Sequence, residues 1–123
     1  MRDPRFSENP IPVDALAKEA ERKSGDYTVT VHVWFTASPG DSVDFVAGRT
    51  PSRAVASAGA RAWARAACAP GWTFPDKDGV RQPAAGLDAT IFNRRGQMVE
   101  RHWTQPAALQ CDETDVLIRP EDE

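Results

Sequence analysis

Residues 27–36, YTVTVHVWFT, are the clearest predicted element of the chain, because β-branched and aromatic residues alternate within them at the period of a β-strand. Alternate side chains of a strand point to opposite faces of a sheet. One face holds Tyr27, Val29, Val31, Val33 and Phe35, and the other holds Thr28, Thr30, His32, Trp34 and Thr36. The first set predicts a face packed on the core. The second predicts an outward face that nevertheless includes a tryptophan.

The segments on either side of this strand predict a hairpin and a preceding helix. Residues 38–41, SPGD, are typical of a turn, and residues 42–48, SVDFVAG, predict a returning strand. Upstream, apolar residues recur at helical spacing over 12–24, which predicts a short amphipathic helix. Residues 1–11 predict an irregular arm.

The segment from Thr50 to Ala69 predicts the long helix of the chain. Thr50 suits the N-cap, Pro51 suits the first helical position, and Pro70 ends the pattern. The expected apolar side is made of small residues around two bulky ones: Val55, Gly59, Ala62, Trp63 and Ala66. The expected polar side is a stripe at every fourth residue: Arg53, Ser57, Arg61 and Arg65.

Residues 70–86 have no sustained periodicity and three prolines, and so predict a long loop. Loops of this length inside a compact domain are often functional. Trp72 and Phe74 within it either fold back as a cover on the core or contact a partner.

Residues 87–104 predict a second hairpin around the turn Asn93-Arg94-Arg95-Gly96. The expected register places Asp88 opposite His102 and Thr90 opposite Glu100. The core face would then consist of Leu87, Ala89, Ile91, Val99 and Trp103, and the outward face would include Phe92 and Met98.

The element order predicts an α+β fold of a single domain, residues 1–123. We expect one small, mainly antiparallel sheet of four to five strands in the order α-β-β-α-β-β, with one long Ala/Arg-rich helix and one short helix packed on one face. Residues 116–118 would add an edge strand. Residues 119–123 predict a solvated acidic tail.

Length and composition favour an ordinary cytoplasmic protein. The 123 residues are 41% hydrophobic and 27% charged, which argues against disorder throughout. No apolar run approaches the roughly 20 residues needed to cross a bilayer, so we expect no membrane association. The first ten residues lack the apolar stretch of a secretory signal. In a reducing cytoplasm Cys68 and Cys111 would stay thiols.

Enzyme motifs are missing from the sequence. There is no phosphate-binding loop, dinucleotide fingerprint or zinc-protease motif, and we expect no cofactor and no metal. The most enzyme-like group is Asp88, Glu100 and His102, joined by the hairpin register, with His32 as a further polar residue. A plain cross-strand ion pair is the simpler interpretation, and an enzyme is the less favoured one.

The distribution of charge and the aromatic side chains on the predicted outward face both favour binding to another macromolecule. Residues 49–106 hold nine basic residues against four acidic ones, although the whole chain has a net charge of −3. A basic region in an acidic chain favours docking on a protein over general nucleic-acid binding. The candidate contact residues are Trp34, Phe92, Met98, Arg53, Arg61, Arg65, Arg94, Arg95, Trp72 and Phe74.

The leading hypothesis is a small non-enzymatic protein that occupies a surface of another macromolecule, as an inhibitor, an anti-defence protein or an accessory protein of a mobile element. A homodimer through the outward sheet face is a second use of the same surface. The alternatives are a nucleic-acid-binding module using the arginines of helix 51–69 and hairpin tip 93–96, and a small enzyme or ligand binder with a His/Asp/Glu pocket on the sheet.

Overall fold

A computed structural model of the chain describes residues 26–37 and 41–123. In chain order these residues form β1 (Tyr27–Phe35), β2 (Ser42–Thr50), α1 (Arg53–Ala66), β3 (Thr73–Pro75), β4 (Arg81–Phe92), β5 (Met98–Gln105) and β6 (Gln110–Val116), with short 3-10 turns at Pro106–Ala108 and Pro120–Asp122. The helix predicted at 12–24 and the arm at 1–11 lie outside the described residues.

The six strands form one antiparallel sheet. Five of them follow the order β2-β1-β4-β5-β6, and β3 pairs with the outer part of β4. The α+β prediction is confirmed. The five strands of the main path match the upper predicted number, and β3 is a sixth strand that lies within the stretch we expected to be a loop. In the described part of the chain no helix is long and apolar enough to cross a membrane.

The core lies between the sheet and α1, as the alternation of β1 predicts. Val29, Val31, Val33 and Phe35 are at most 1% exposed. Trp63 of α1 is fully buried among aromatic rings, with Phe45 and Phe74 nearby at centroid distances of 5.2 and 6.0 Å. Burial of such apolar area is the main stabilising contribution to the fold.

The helix is shorter than predicted and begins at a different cap. Ser52, not Thr50, is the N-cap, because its hydroxyl accepts the Val55 N–H at 3.2 Å. Thr50 instead accepts the backbone N–H of Ser52. The buried side consists of Ala56, Gly59, Ala60, Trp63 and Ala64, so it is rotated from the predicted apolar side and Val55 is only partly buried.

The predicted loop at 70–86 is largely a hairpin. Strand β3 pairs with Arg81–Pro83, and the turn between them is stabilised by Asp76, whose carboxylate accepts the N–H groups of Asp78 and Val80. Phe74 is fully buried and stacks on Phe45 and Trp72 at centroid distances of 5.6 and 5.4 Å. Phe74 therefore covers the core, as the first alternative predicts, and Trp72 packs against it while staying partly exposed.

The register between β4 and β5 differs from the predicted one by one residue. Phe92 lies opposite Met98 as expected, but a bulge then places Ile91 opposite Glu100, Ala89 opposite His102 and Asp88 opposite Trp103. A one-residue slip moves every later side chain to the other face. Glu100 and His102 are therefore on the helix side and Trp103 is not, which corrects the predicted faces.

The C-terminal part of the chain is also more ordered than predicted. Strand β6 covers 110–116, earlier than the predicted edge strand at 116–118, and the N–H groups of Leu117 and Ile118 both reach the carbonyl of Val99. The tail is not simply solvated, because the carboxylate of Glu123 binds Arg53 and the Tyr27 hydroxyl.

The thiol prediction is wrong in this structure. Cys68 after α1 and Cys111 in β6 form a disulfide, with their Cα atoms 5.6 Å apart. The link joins the end of the helix to the edge strand. A disulfide is typical of oxidising compartments, so the cysteines give no support to a reducing location.

Candidate functional site

The sheet surface opposite α1, which we call the open face, carries large side chains on three neighbouring strands. Trp34 of β1 and Phe92 of β4 are partly exposed, and Met98 of β5 is 41% exposed. The register of β5 adds Arg101 and Trp103, which were not expected there from the sequence. The open face thus carries one more tryptophan than the sequence predicted.

Trp34 lies directly on the backbone of the neighbouring strand. It is paired with Gly86 of β4, and an added Cβ at Gly86 would lie 2.1 Å from the Trp34 ring atom Cζ2. His32 lies beside it with a centroid distance of 5.8 Å, and its imidazole hydrogen-bonds to Asp44 of β2. Glycine at 86 therefore makes room for the indole on the open face.

Arg101 and Trp103 form the second aromatic centre of this face. The Arg101 guanidinium lies 4.6 Å from the centroid of the Trp103 ring. Its Nε lies 2.9 Å from both carboxylate oxygens of Asp88, and this hydrogen bond holds the pKa of Arg101 above its ordinary value. Asp88 is thereby engaged by an arginine on the open face and does not meet His102.

The open face is acidic at its β6 margin. Glu113 and Asp115 are exposed and lie directly opposite Trp103 and Arg101, so they share that face. Among the described strand residues, four carboxylates and three guanidiniums lie on the open face: Asp44, Asp88, Glu113 and Asp115 against Arg49, Arg81 and Arg101.

A second candidate site lies on the other side of the sheet, between α1 and strands β5 and β6. This helix cleft encloses about 710 Å³ and is lined by Ser57, Ala58, Arg61, Ala62, Arg65, Ala66, Glu100, His102 and Thr114. Its volume is in the range of small-ligand sites, roughly 300–1,000 Å³.

Glu100 is the centre of the cleft floor. It is 7% exposed and receives hydrogen bonds from Arg53 Nε at 2.9 Å, from Ser57 Oγ at 2.8 Å and from His102 Nε2 at 3.2 Å. Burial by itself would raise the pKa of Glu100, but the hydrogen bonds from Ser57, Arg53 and His102 together hold it below its ordinary value. The carboxylate is therefore ionised near neutral pH.

His102 connects this carboxylate to an exposed hydroxyl. Its side chain is almost fully buried, and its Nδ1 lies 3.0 Å from Thr114 Oγ1 on β6. A hydroxyl, an imidazole and a carboxylate thus follow one another from the cleft wall to its floor. The buried carboxylate fixes the ring orientation of His102.

Two arginines form the rim of the cleft. The Nε groups of Arg61 and Arg65 lie 3.3 and 2.9 Å from Asp112 Oδ2. Burial tends to raise the pKa of Asp112, but hydrogen bonds from Arg65 and Arg61 hold it below its ordinary value. Asp112 has a positive φ of 53° and follows the disulfide residue Cys111, so its backbone is constrained on both counts.

The predicted polar group does not assemble as a unit. Glu100 and His102 lie in the helix cleft, whereas Asp88 and His32 lie on the open face, so the sheet separates the two pairs. Arg53 is not a surface residue, because its side chain is 12% exposed and binds Glu100 and Glu123. Arg94 and Arg95 occupy the exposed hairpin tip as predicted.

Thr114 and Asp112 were not identified from the sequence as parts of a site. Ser57 was recognised only as a member of the polar stripe of the helix. These three residues join the cleft through contacts between elements distant in sequence. In the described ranges no group of three or more His, Cys, Asp or Glu side chains is arranged to hold a metal ion.

Comparisons with known proteins give no relatives, since no family model, no curated protein and no solved structure matches the chain. The fold defines a small α+β protein with two candidate binding surfaces, the open face and the helix cleft.

Proposed function

We propose that this chain is a small non-enzymatic binding protein that occupies the surface of another protein through its open face. The supporting observation is the pair of aromatic centres on that face, Trp34 on Gly86 and Trp103 under Arg101. Tryptophan, methionine and arginine are among the residues enriched at the centres of protein interfaces. A sheet face that only met water would be expected to carry mainly polar residues.

The charge of the open face favours a basic partner over a second copy of the chain. In the described part of the sheet the carboxylates of this face outnumber its guanidiniums by one, and both Glu113 and Asp115 are exposed at the margin. Two such faces would repel each other, whereas a partner with basic residues around an apolar patch would be attracted. A homodimer through this face is therefore the weaker proposal.

The test compares binding by matched variants. We expect Trp103→Ser to abolish capture of a partner that the wild-type chain retains, since loss of a central aromatic anchor commonly costs about 2 kcal/mol or more. Val80→Ser, at an exposed apolar position in the turn between β3 and β4, is the control. Capture should weaken as salt is raised, because the attraction includes exposed charges.

The proposal fails if Trp103→Ser still retains every protein that the wild-type chain and Val80→Ser retain. Hydroxyl-radical footprinting of the full chain tests other occupants of the face. Oxidation of Trp34, Met98 and Trp103 that falls as protein concentration rises would indicate a second copy. Protection that is independent of concentration would indicate that the chain covers its own face.

Nucleic-acid binding is a weaker proposal on this geometry. Arg53 is nearly buried on Glu100 and Glu123, so it is lost from the predicted arginine stripe. Asp112 partly neutralises Arg61 and Arg65, and Arg94 and Arg95 lie at the hairpin tip, so the stripe carries less positive charge than the sequence indicates. The narrower roles of inhibitor or mobile-element accessory protein, and the cytoplasmic location, stay predictions. The disulfide argues against that location, and the thiol content of the protein isolated from its own cells tests it.

A further inference from the structure

The helix cleft combines a closed, charged floor with an open rim. Glu100 accepts hydrogen bonds from three side chains, and both nitrogens of His102 have partners, so the floor is internally satisfied. Such a network is rigid, because breaking any one bond leaves a buried polar group unpaired. The floor therefore fixes the shape of the cleft and leaves recognition to the groups above it.

The rim has unused hydrogen-bond donors. Arg61 and Arg65 contact Asp112 through Nε, and among the described residues the terminal amino groups of both make no hydrogen bond. Their side chains are 51% and 60% exposed. Two guanidiniums share one carboxylate, so the rim has an excess positive charge. Planar guanidinium forks match the geometry of carboxylate and phosphate groups.

The α1 wall of the cleft and the β6 edge offer further contacts to a bound molecule. Ala58, Ala62 and Ala66 of α1 form an apolar ledge along the cleft. Thr114 is exposed, and its hydroxyl can make a hydrogen bond beyond the one it shares with His102. The cleft thus offers an anion-binding rim, an apolar wall and one polar contact, all within a volume that suits a small molecule.

We propose that the helix cleft binds a small organic anion, whose carboxylate or phosphate group is held by Arg61 and Arg65 and whose apolar part rests on the alanine ledge. Asp112 acts as a positioning residue, because it holds both guanidiniums by Nε. This site is on the opposite side of the sheet from the open face, so it is independent of the proposed protein-binding function.

The test is a titration of the ¹⁵N-labelled full chain with phenyl phosphate, followed by NMR. We expect saturable shifts at Thr114, at His102 and on α1. Arg61→Gln with Arg65→Gln should weaken binding by about tenfold or more, the size expected for lost charge-assisted hydrogen bonds. The matched control, Arg94→Gln with Arg95→Gln, removes the same charge at the hairpin tip and should leave the dissociation constant unchanged.

Three further arms separate the cleft from general charge attraction. Benzyl alcohol, which is neutral, should not bind, and inorganic phosphate should bind more weakly than phenyl phosphate because it cannot use the ledge. Ala58→Phe, at an exposed position of the cleft wall, should block phenyl phosphate while keeping both arginines. Equal weakening by the two arginine pairs, or unchanged binding in Ala58→Phe, would overturn the proposal, as would the absence of saturable binding.

Discussion

The indole of Trp34 lies on Gly86 so closely that position 86 has no room for a methyl group on that side. A Cβ added there would come within 2.1 Å of the ring. We expect Gly86→Ala to lower the free energy of unfolding by about 1–3 kcal/mol, the usual cost of forcing atoms into an occupied space. Chemical denaturation measures the loss, and the Trp34 indole N–H resonance should move.

The control for this prediction is to introduce Gly86→Ala into a chain that already carries Trp34→Val. With the ring removed, Gly86→Ala should cost much less, because the clash is gone and alanine is no worse than glycine in a strand. An equal cost in both backgrounds would show that the indole is not the obstacle.

The free energy of unfolding should fall in acid, because the Glu100 carboxylate becomes protonated. Its folded pKa is below the ordinary value of 4.5, so the unfolded chain binds more protons between the two values. The stabilisation is therefore complete above about pH 4.5 and is lost as the pH falls through the folded pKa. Glu100→Gln should make the acid limb of a stability-against-pH curve less steep.

The Arg53–Glu100 pair should show strong coupling. Both side chains are about nine-tenths buried, at 12% and 9% exposed. Arg53→Met leaves a buried carboxylate with one cation fewer and should cost about 3 kcal/mol. The double variant Arg53→Met with Glu100→Met should cost clearly less than the sum of the single changes. Additive losses in urea denaturation would mean that the pair is not coupled.

The disulfide should be a main source of stability. It closes a loop with a sequence separation of 43, for which chain entropy gives about 4 kcal/mol as an upper figure. Cys68→Ser with Cys111→Ser should therefore lower the free energy of unfolding by about 2–4 kcal/mol. A reductant should destabilise the wild-type chain and leave the double variant unaffected; a wild-type chain that is indifferent to reductant would contradict the prediction.

Several features of the fold followed directly from local sequence. The alternation at 27–36 correctly predicted which side of β1 is buried, because a strand with one apolar face has a single favourable orientation on a core. The alanine-rich segment predicted the long helix for a similar reason. Its cap was placed two residues early, since Thr50 and Ser52 are both good N-caps and only Ser52 has its hydroxyl at the Val55 N–H.

The candidate sites were harder to predict, because they depend on register. Along β5, Val99 and Glu100 are adjacent and both buried, which breaks the period of two. The bulge permits this, and Glu100 tolerates burial because Arg53 and Ser57 of α1 donate to it. Those donors lie more than 40 positions away in the chain, so the residues of the hairpin alone carry no sign of them.

Local sequence was enough to predict β1, β2, the hairpin of β4 and β5, the long helix and an outward face bearing Trp34, because these follow from the periods of strand and helix. It did not predict β3, and it placed the edge strand β6 too late. That Glu100 and His102 face the helix while Trp103 faces away depends on the packing of α1 against the sheet. The physical reason is that a buried charge is stable only where distant partners satisfy it, and packing of α1 on the sheet supplies those partners.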